Sequence, residues 1–335
     1  MSFRLLVIGG GQFLGPAILS AAREHGHQVT TLTRTGAGVP QGVESLLGDR
    51  ETDEGLAVLR GREWDAVIDT CGYVPRAVGA SARPLADRVA HYVYVSSISA
   101  YADWPEKPVR NDSPTLPCPA DAGPEDGHYG ELKAGCERAV AEHFAGRCMI
   151  ARAGHLVGVG DNVGRLSWWL NRVARGGEVL APGPPERPLS LVDVRDLGAW
   201  LVHCGQKKVV GAMPATSEPG QTSFGELLGL AQAESGSEAT FVWADDDFLL
   251  ANEVEPWQDL PYWMPAEQFP GNEDVDTFAA LAAGLSCRPV SETIADTWAW
   301  IRAAGVPPQR ADRPTPGLDP DRERAILAAW HSRNN

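Results

Sequence analysis

The sequence predicts an α/β protein, a Rossmann-type doubly wound parallel sheet with a smaller, irregular C-terminal substrate lobe. Three observations carry this. The first half alternates short β-branched runs with helical patterns, an order that requires right-handed crossovers and parallel strands. The first apolar run leads straight into a glycine cluster and then an amphipathic helix. After Gly160 the texture changes to helices punctuated by prolines, with most of the tryptophans, Trp168, Trp169, Trp257 and Trp263 among them.

Taken in order, Phe3–Ile8, Gln28–Leu32, Val43–Leu47, Trp64–Ile68 and His91–Val95 read as strands, short and bounded by turn residues. Between them Phe13–Glu24, Asp53–Arg60 and Arg76–Arg88 space their apolar residues as helices do. The Pro-, Asp- and Gly-rich stretch Asn111–Gly127 predicts a long loop, followed by a helix starting near His128. Cys148–Ala151 returns to the sheet. Later helical patterns cover Leu166–Ala174, Val194–His203, Ser223–Glu234, Ser291–Ala304 and Pro320–His331. The expected division is a dinucleotide-binding domain over 1–158, with 188–213 returning to it, and a substrate lobe over 159–187 and 214–335.

Composition narrows the function. Acidic residues outnumber basic ones 44 to 29, a net charge of −15 that disfavours nucleic acid and anionic membrane surfaces as partners. The longest apolar stretch, Leu5–Ala22, is broken by four glycines, Gln12 and Pro16, so it reads as neither membrane span nor signal peptide. The six cysteines form no C-x-x-C pair, and the eight histidines do not cluster with them; no metal is expected, and the reduced thiols suit the cytoplasm. Of the 29 basic residues only Lys107, Lys133, Lys207 and Lys208 are lysines.

The segment Gly9-Gly10-Gly11-Gln12-Phe13-Leu14-Gly15 has the form of a pyrophosphate cradle. Backbone N–H groups at a helix N-terminus hold the phosphates, and glycine lets the backbone approach them. Gly9, Gly11, Gln12, Phe13, Leu14 and Gly15 are therefore the expected cofactor contacts, with Gln12 standing where the G-x-x-G-x-x-G variant has its middle glycine. The second strand ends Thr31-Leu32-Thr33-Arg34-Thr35, with no acid to accept from a ribose 2′-hydroxyl. Arg34 instead suits a 2′-phosphate, so NADP(H) is favoured over NAD(H). Asp49 and Arg50, after the third strand, and Cys71, after the fourth, complete the cofactor set.

Tyr129 and Lys133 stand at i and i+4 on one helix face. Six tyrosines and four lysines in 335 residues would produce roughly 0.07 such ordered pairs by chance. A phenol titrates near pH ~10 and needs a neighbouring cation to exchange protons at neutral pH. The strand before this helix exits through Ser96-Ser97-Ile98-Ser99-Ala100-Tyr101, whose hydroxyls face the crevice at the C-terminal edge of a parallel sheet.

On these residues, with Arg152–Gly158 and Val192-Asp193-Val194-Arg195-Asp196, the whole chain resembles the extended short-chain dehydrogenase/reductase family, the NAD-dependent epimerase/dehydratase-like proteins. Within it the chain is most similar to a reductase-like branch related to the chloroplast stem-loop-binding proteins. The resemblance implies that Tyr129 is the general acid/base, Lys133 its activator and ribose anchor, and Ser97 the catalytic hydroxyl, with Ser99 as a secondary, substrate-facing candidate. His155 falls on a substrate-facing position, there to bind or protonate substrate or to pack beside the nicotinamide; Trp168 is the aromatic candidate of the lobe. Family dehydratases carry Thr-Asp-Glu where this chain has Ser97-Ile98-Ser99. Nucleotide-sugar binders have an arginine where it has Leu189, with Arg187 two residues off. The resulting expectation is an NADP(H)-dependent oxidoreductase acting on a carbonyl or secondary alcohol of a small metabolite. An epimerase working by transient oxidation and a non-catalytic NAD(P)-binding sensor stay open as alternatives. A small-molecule substrate and, as a homodimer, a second copy of the chain are the partners in view.

Overall fold

The computed structural model describes residues 3–305 and 314–333. The chain divides into two compact units, Met1–Leu156 with Val192–Ser217 and Val275–Cys287, and Val157–Leu191 with Glu218–Asp274 and Arg288–Asn335.

In the first unit, β1 (Arg4–Ile8) feeds α1 (Leu14–Glu24), and β2 (Gln28–Thr33) is followed by β3 (Glu44–Leu47) and the short α2 (Asp53–Ala57). Then come β4 (Trp64–Asp69), α3 (Pro75–Leu85), β5 (Val89–Ser97), α4 (Tyr129–Phe144) and β6 (Cys148–Ala153). Among the described residues these six strands and Gly211–Ala215 form one sheet, ordered (211–215)-β6-β5-β4-β1-β2-β3. Every pairing in it is parallel. The order reverses between β1 and β4, the place where such sheets bind ligands beyond their strand C-termini.

The two faces follow from the strand period of two. Leu5, Val7, Ala66, Ile68, Val93 and Val95 join the core with α1 and the helix Val194–Lys207. Leu6, Ile8, Val67, Tyr92, Tyr94 and Ile150 join the other, with α3 and α4. Burial on both faces explains why the strands read as continuous apolar runs. Two differences from the sequence reading stand out. Gly211–Ala215 is a sheet strand, and Val275–Cys287 belongs to the first unit rather than to the lobe, because Val275 packs with Ile98, Tyr101 and Val109 while Ala280 and Leu285 enter the core.

The second unit centres on the helices Arg165–Ala174, Phe224–Ser235 and Val290–Ala304. It also holds a parallel strand pair, Gly177–Pro182 with Ala239–Ala244, absent from the sequence reading. Trp169 and Trp263 are fully buried in its core. Arg172 and Glu323 form a buried ion pair at 2.6 Å, and the Leu180 N–H donates to the same carboxylate at 3.1 Å. No described helix is long and apolar enough to cross a membrane.

Candidate active site

Because all seven strands run the same way, their exits share one edge of the sheet, and the expected site residues of the first unit collect there. Behind β1, Gly9 takes φ +95°, and a Cβ on it would lie 2.5 Å from Thr70 Oγ1 and 2.9 Å from Cys71 Sγ. Only glycine fits this turn. Phe13, the residue entering α1, is held at φ 46°, an uncommon angle for a bulky side chain. No side chain caps α1 and its first turn carries no acid. The orphan N–H groups of that turn, and the positive end of the helix dipole, fit an anion such as a pyrophosphate. Leu14 and Gly15 are buried, and Gln12 is exposed.

Arg34 is exposed one residue beyond β2. Asp49, half-buried behind β3, accepts from the Glu51 N–H at 3.0 Å. Arg50, expected among the cofactor contacts, is committed to partners inside the fold. It is buried and makes a two-pronged ion pair with Asp69, at 2.6 and 2.8 Å, while also donating to Ser81 Oγ at 2.5 Å. Tyr92 OH donates to the same carboxylate at 2.8 Å. Although burial opposes its charge, Asp69 is held below the usual carboxylate range by Arg50. Cys71 is half-buried between the Arg50 guanidinium, which donates to its Sγ at 3.7 Å, and the glycine loop; burial pushes its thiol up.

At the end of β5, Ser97 is buried and caps a single helical turn, Ile98–Ala100. Its Oγ donates to Ser99 Oγ at 3.2 Å and accepts from the Ser99 N–H at 3.1 Å. Helix α4 starts against this turn. Glu131 anchors the start by accepting from the His128 N–H at 2.7 Å. Gly130 lets the helix approach, since a Cβ there would collide with the Ser99 carbonyl oxygen. Tyr129, the first helical residue, stays 45% exposed on the open edge.

Lys133, one turn on, is buried, and its Nζ donates to Gly72 O at 2.9 Å and Val95 O at 2.6 Å. An ammonium has three N–H donors, so one remains for a partner. Glu137, one further turn along, ties α4 to two strands. It accepts from Ser96 Oγ at 2.5 Å and pairs with Arg152 through contacts of 3.0 and 2.8 Å. The Arg152 guanidinium in turn lies 4.4 Å from the Tyr101 ring centroid.

His155 is buried just past β6. Trp168, in the second unit, is half-buried, its ring edge-on to Trp169 at 4.7 Å and packed against that unit's core. Among the described residues no group of His, Cys, Asp or Glu could hold a metal ion. Sequence reasoning missed Asp69, Glu137 and Arg152, and the carbonyls of Gly72 and Val95. Long-range ion pairs and backbone acceptors leave no mark on spacing.

The sequence matches no protein-family model and no curated protein. Among solved structures the chain resembles the Bordetella bronchiseptica enzyme WbmH in complex with NAD+, at TM-score 0.66 and 18% identity over 91% of this chain and 100% of that one. It also resembles the UDP-N-acetylglucosamine 4-epimerase of Bacillus cereus, at TM-score 0.64 and 17% identity, over 90% of this chain and 100% of the other. The UDP-glucose 4-epimerase of Thermus thermophilus, complexed with NAD, gives TM-score 0.63 and 17% identity over 90% and 99% of the two chains. At such identities the likeness is one of fold: the chain has the Rossmann-like α/β architecture of these enzymes.

Proposed function

We propose that the chain is an NADP(H)-dependent oxidoreductase that moves hydride between the nicotinamide cofactor and a carbonyl or secondary alcohol of a small metabolite. One observation carries this reading: a glycine cradle and the Ser97, Tyr129 and Lys133 side chains belong to the same edge of one parallel sheet. Gly9, Gly11, Phe13 and Leu14 would hold the pyrophosphate, Arg34 the 2′-phosphate, and Asp49 the adenine end. Bound in reduced form, the cofactor supplies the hydride. Ser97 would turn its hydroxyl hydrogen from Ser99 Oγ to the substrate carbonyl and so orient it. Tyr129 gives its phenolic proton to the carbonyl oxygen as that oxygen gains charge, and Lys133 stabilises the phenolate left behind. The sequence-level likeness to the reductase-like branch points the same way.

Nucleotide-sugar substrates are disfavoured by the second unit. Leu189 is fully buried in its core. Arg187 is engaged by Asp246 at 2.5 Å and by the carbonyls of Gly183 and Met264 at 2.6 and 2.8 Å. Epimerisation is the second reading, supported by the solved neighbours that are 4-epimerases. Cofactor accounting separates the two, since an epimerase consumes none.

Tyr129→Phe is expected to reduce turnover of carbonyl probes with NADPH by at least ~100-fold while leaving NADPH affinity close to that of the parent. Parent-like turnover in that variant refutes the assignment. Fluorescence titration should find NADPH binding tighter than NADH by about tenfold or more, and Arg34→Ala should erase the difference. Equal affinities in the parent would remove the 2′-phosphate role of Arg34.

A further inference from the structure

The site holds Lys133 in a way that needs its own explanation. The side chain is 3% exposed. The carboxylates nearest to it in the fold are already claimed, Asp69 by Arg50 and Glu137 by Arg152. A buried ammonium without a counter-ion of its own ordinarily gives up its proton. Two carbonyl dipoles oppose that here, and so does an aromatic face: Nζ sits 4.5 Å from the Tyr94 ring centroid and 5.4 Å from that of Tyr73. Tyr94 is fully buried, and its hydroxyl donates at 2.8 Å to Gly72 O, the same oxygen that Lys133 holds at 2.9 Å. One residue thus fixes both the carbonyl that receives the lysine and the ring beneath it.

We propose that Tyr94 is the positioning residue of Lys133, its ring face keeping the ammonium charged and in place while Tyr73 flanks it more distantly. The functional consequence rests on the reading of Lys133 as the partner of Tyr129; the electrostatic claim does not. The titratable groups that face Lys133 come from every element packed on it. They are Asp69 from β4, Cys71 and Tyr73 from the loop behind β4, Tyr94 from β5, and Cys136 and Glu137 from α4, with Tyr129 one turn before Lys133 on the same helix. Burial pushes the Cys136 thiol up to about 11, so it supplies no counter-charge at neutral pH. Burial also pulls Lys133 below the ordinary lysine value, and a π-face opposes that pull without introducing a second ion.

The scarcity of lysine makes the test direct. Protein labelled with nitrogen-15 only at its four lysines gives four ammonium signals, and that of Lys133 is the one absent from Lys133→Arg. Its titration is followed in the parent, in Tyr94→Phe and in a series with mono-, di- and pentafluorinated phenylalanine at position 94. Fluorination drains the ring face with little change in volume, so folding is preserved. Tyr94→Phe, which keeps the ring face and loses the hydroxyl bond to Gly72 O, sets the reference, and the fluorinated series should fall stepwise below it, by about one pH unit at full substitution. A midpoint that ignores fluorination, or a Lys133 signal that stays charged to the alkaline unfolding limit throughout the series, overturns the proposal. The titration needs neither cofactor nor substrate. Failure of the catalytic reading would instead appear as parent-like turnover in Tyr129→Phe.

Discussion

At the scale of single residues, the site depends on one position that has no side chain. Alanine normally stabilises a helix over glycine by about 1 kcal/mol. At Gly130 the added methyl would meet the Ser99 backbone carbonyl, and Leu116 Cδ1 at 3.0 Å. A backbone carbonyl gives way less readily than a side chain, so the first turn of α4 must tilt and carry Tyr129 with it. On the proposed role of Tyr129, Gly130→Ala is expected to lower turnover by about 100-fold, the cost of misplacing a reacting group by an ångström, with cofactor affinity retained. Steady-state rates beside a binding titration check it, and parent-like rates would show that Tyr129 tolerates the shift. Residue-level legibility was uneven for a physical reason. Tyr129 and Lys133 were readable because helical periodicity converts spacing into geometry. The partners of Arg50 were not legible, because it follows Asp49 in one loop and yet is buried against Asp69 while Asp49 is half-exposed.

Elements were legible where burial imprints a pattern. Strands β1, β4 and β5 are covered on both faces, so their sequences are nearly continuous apolar runs, and α1 and α3 keep one apolar stripe each. Gly211–Ala215 escaped notice because Gly-Ala-Met-Pro-Ala has no β-branched residue and contains a proline. The strand lies at the sheet edge, where a missing N–H costs no ladder bond on the open side. The strand pair of the second unit hid for a related reason, since Gly177–Pro182 begins at paired glycines and ends in proline. Helix α4 was placed within a residue of its true start. Its attachment was invisible, because Glu137, Ser96 and Arg152 come together from three elements and share no local period.

At the scale of the whole molecule, a buried and a half-buried group set opposing pH dependences. His91 is fully buried on β5, and burial lowers it to about 4 from the 6.5 it has when unfolded. Between those values the unfolded chain binds a proton that the fold refuses, so this group's stabilisation is complete above pH 6.5 and is lost as pH falls. Burial pushes Glu273 up to about 7 from 4.5. Over that window the unfolded chain releases a proton that the fold keeps, so this contribution is lost as pH rises. Each amounts to about 3 kcal/mol at most. Between pH 4.5 and 6.5 the two slopes therefore oppose each other. His91→Gln should become less stable as pH rises through that range, and Glu273→Gln more stable. Urea midpoints at several pH values read both slopes, and a single variant with the opposite sign would refute its assignment. Asp69 and Glu44, held low by Arg50 and Arg62 respectively, contribute only at more acidic pH.

The segmentation of the chain has a consequence for recombination. Five crossings, after Leu156, Leu191, Ser217, Asp274 and Cys287, carry the backbone from one unit to the other. A cassette ending at Leu156 would lack the edge strand Gly211–Ala215 and the helix Val194–Lys207, which covers one face of the sheet. Neither unit is a contiguous gene segment. Exchanging the second unit for that of a relative means transplanting three stretches at once, so new specificities in this architecture are reached more readily by point substitution and loop insertion than by shuffling.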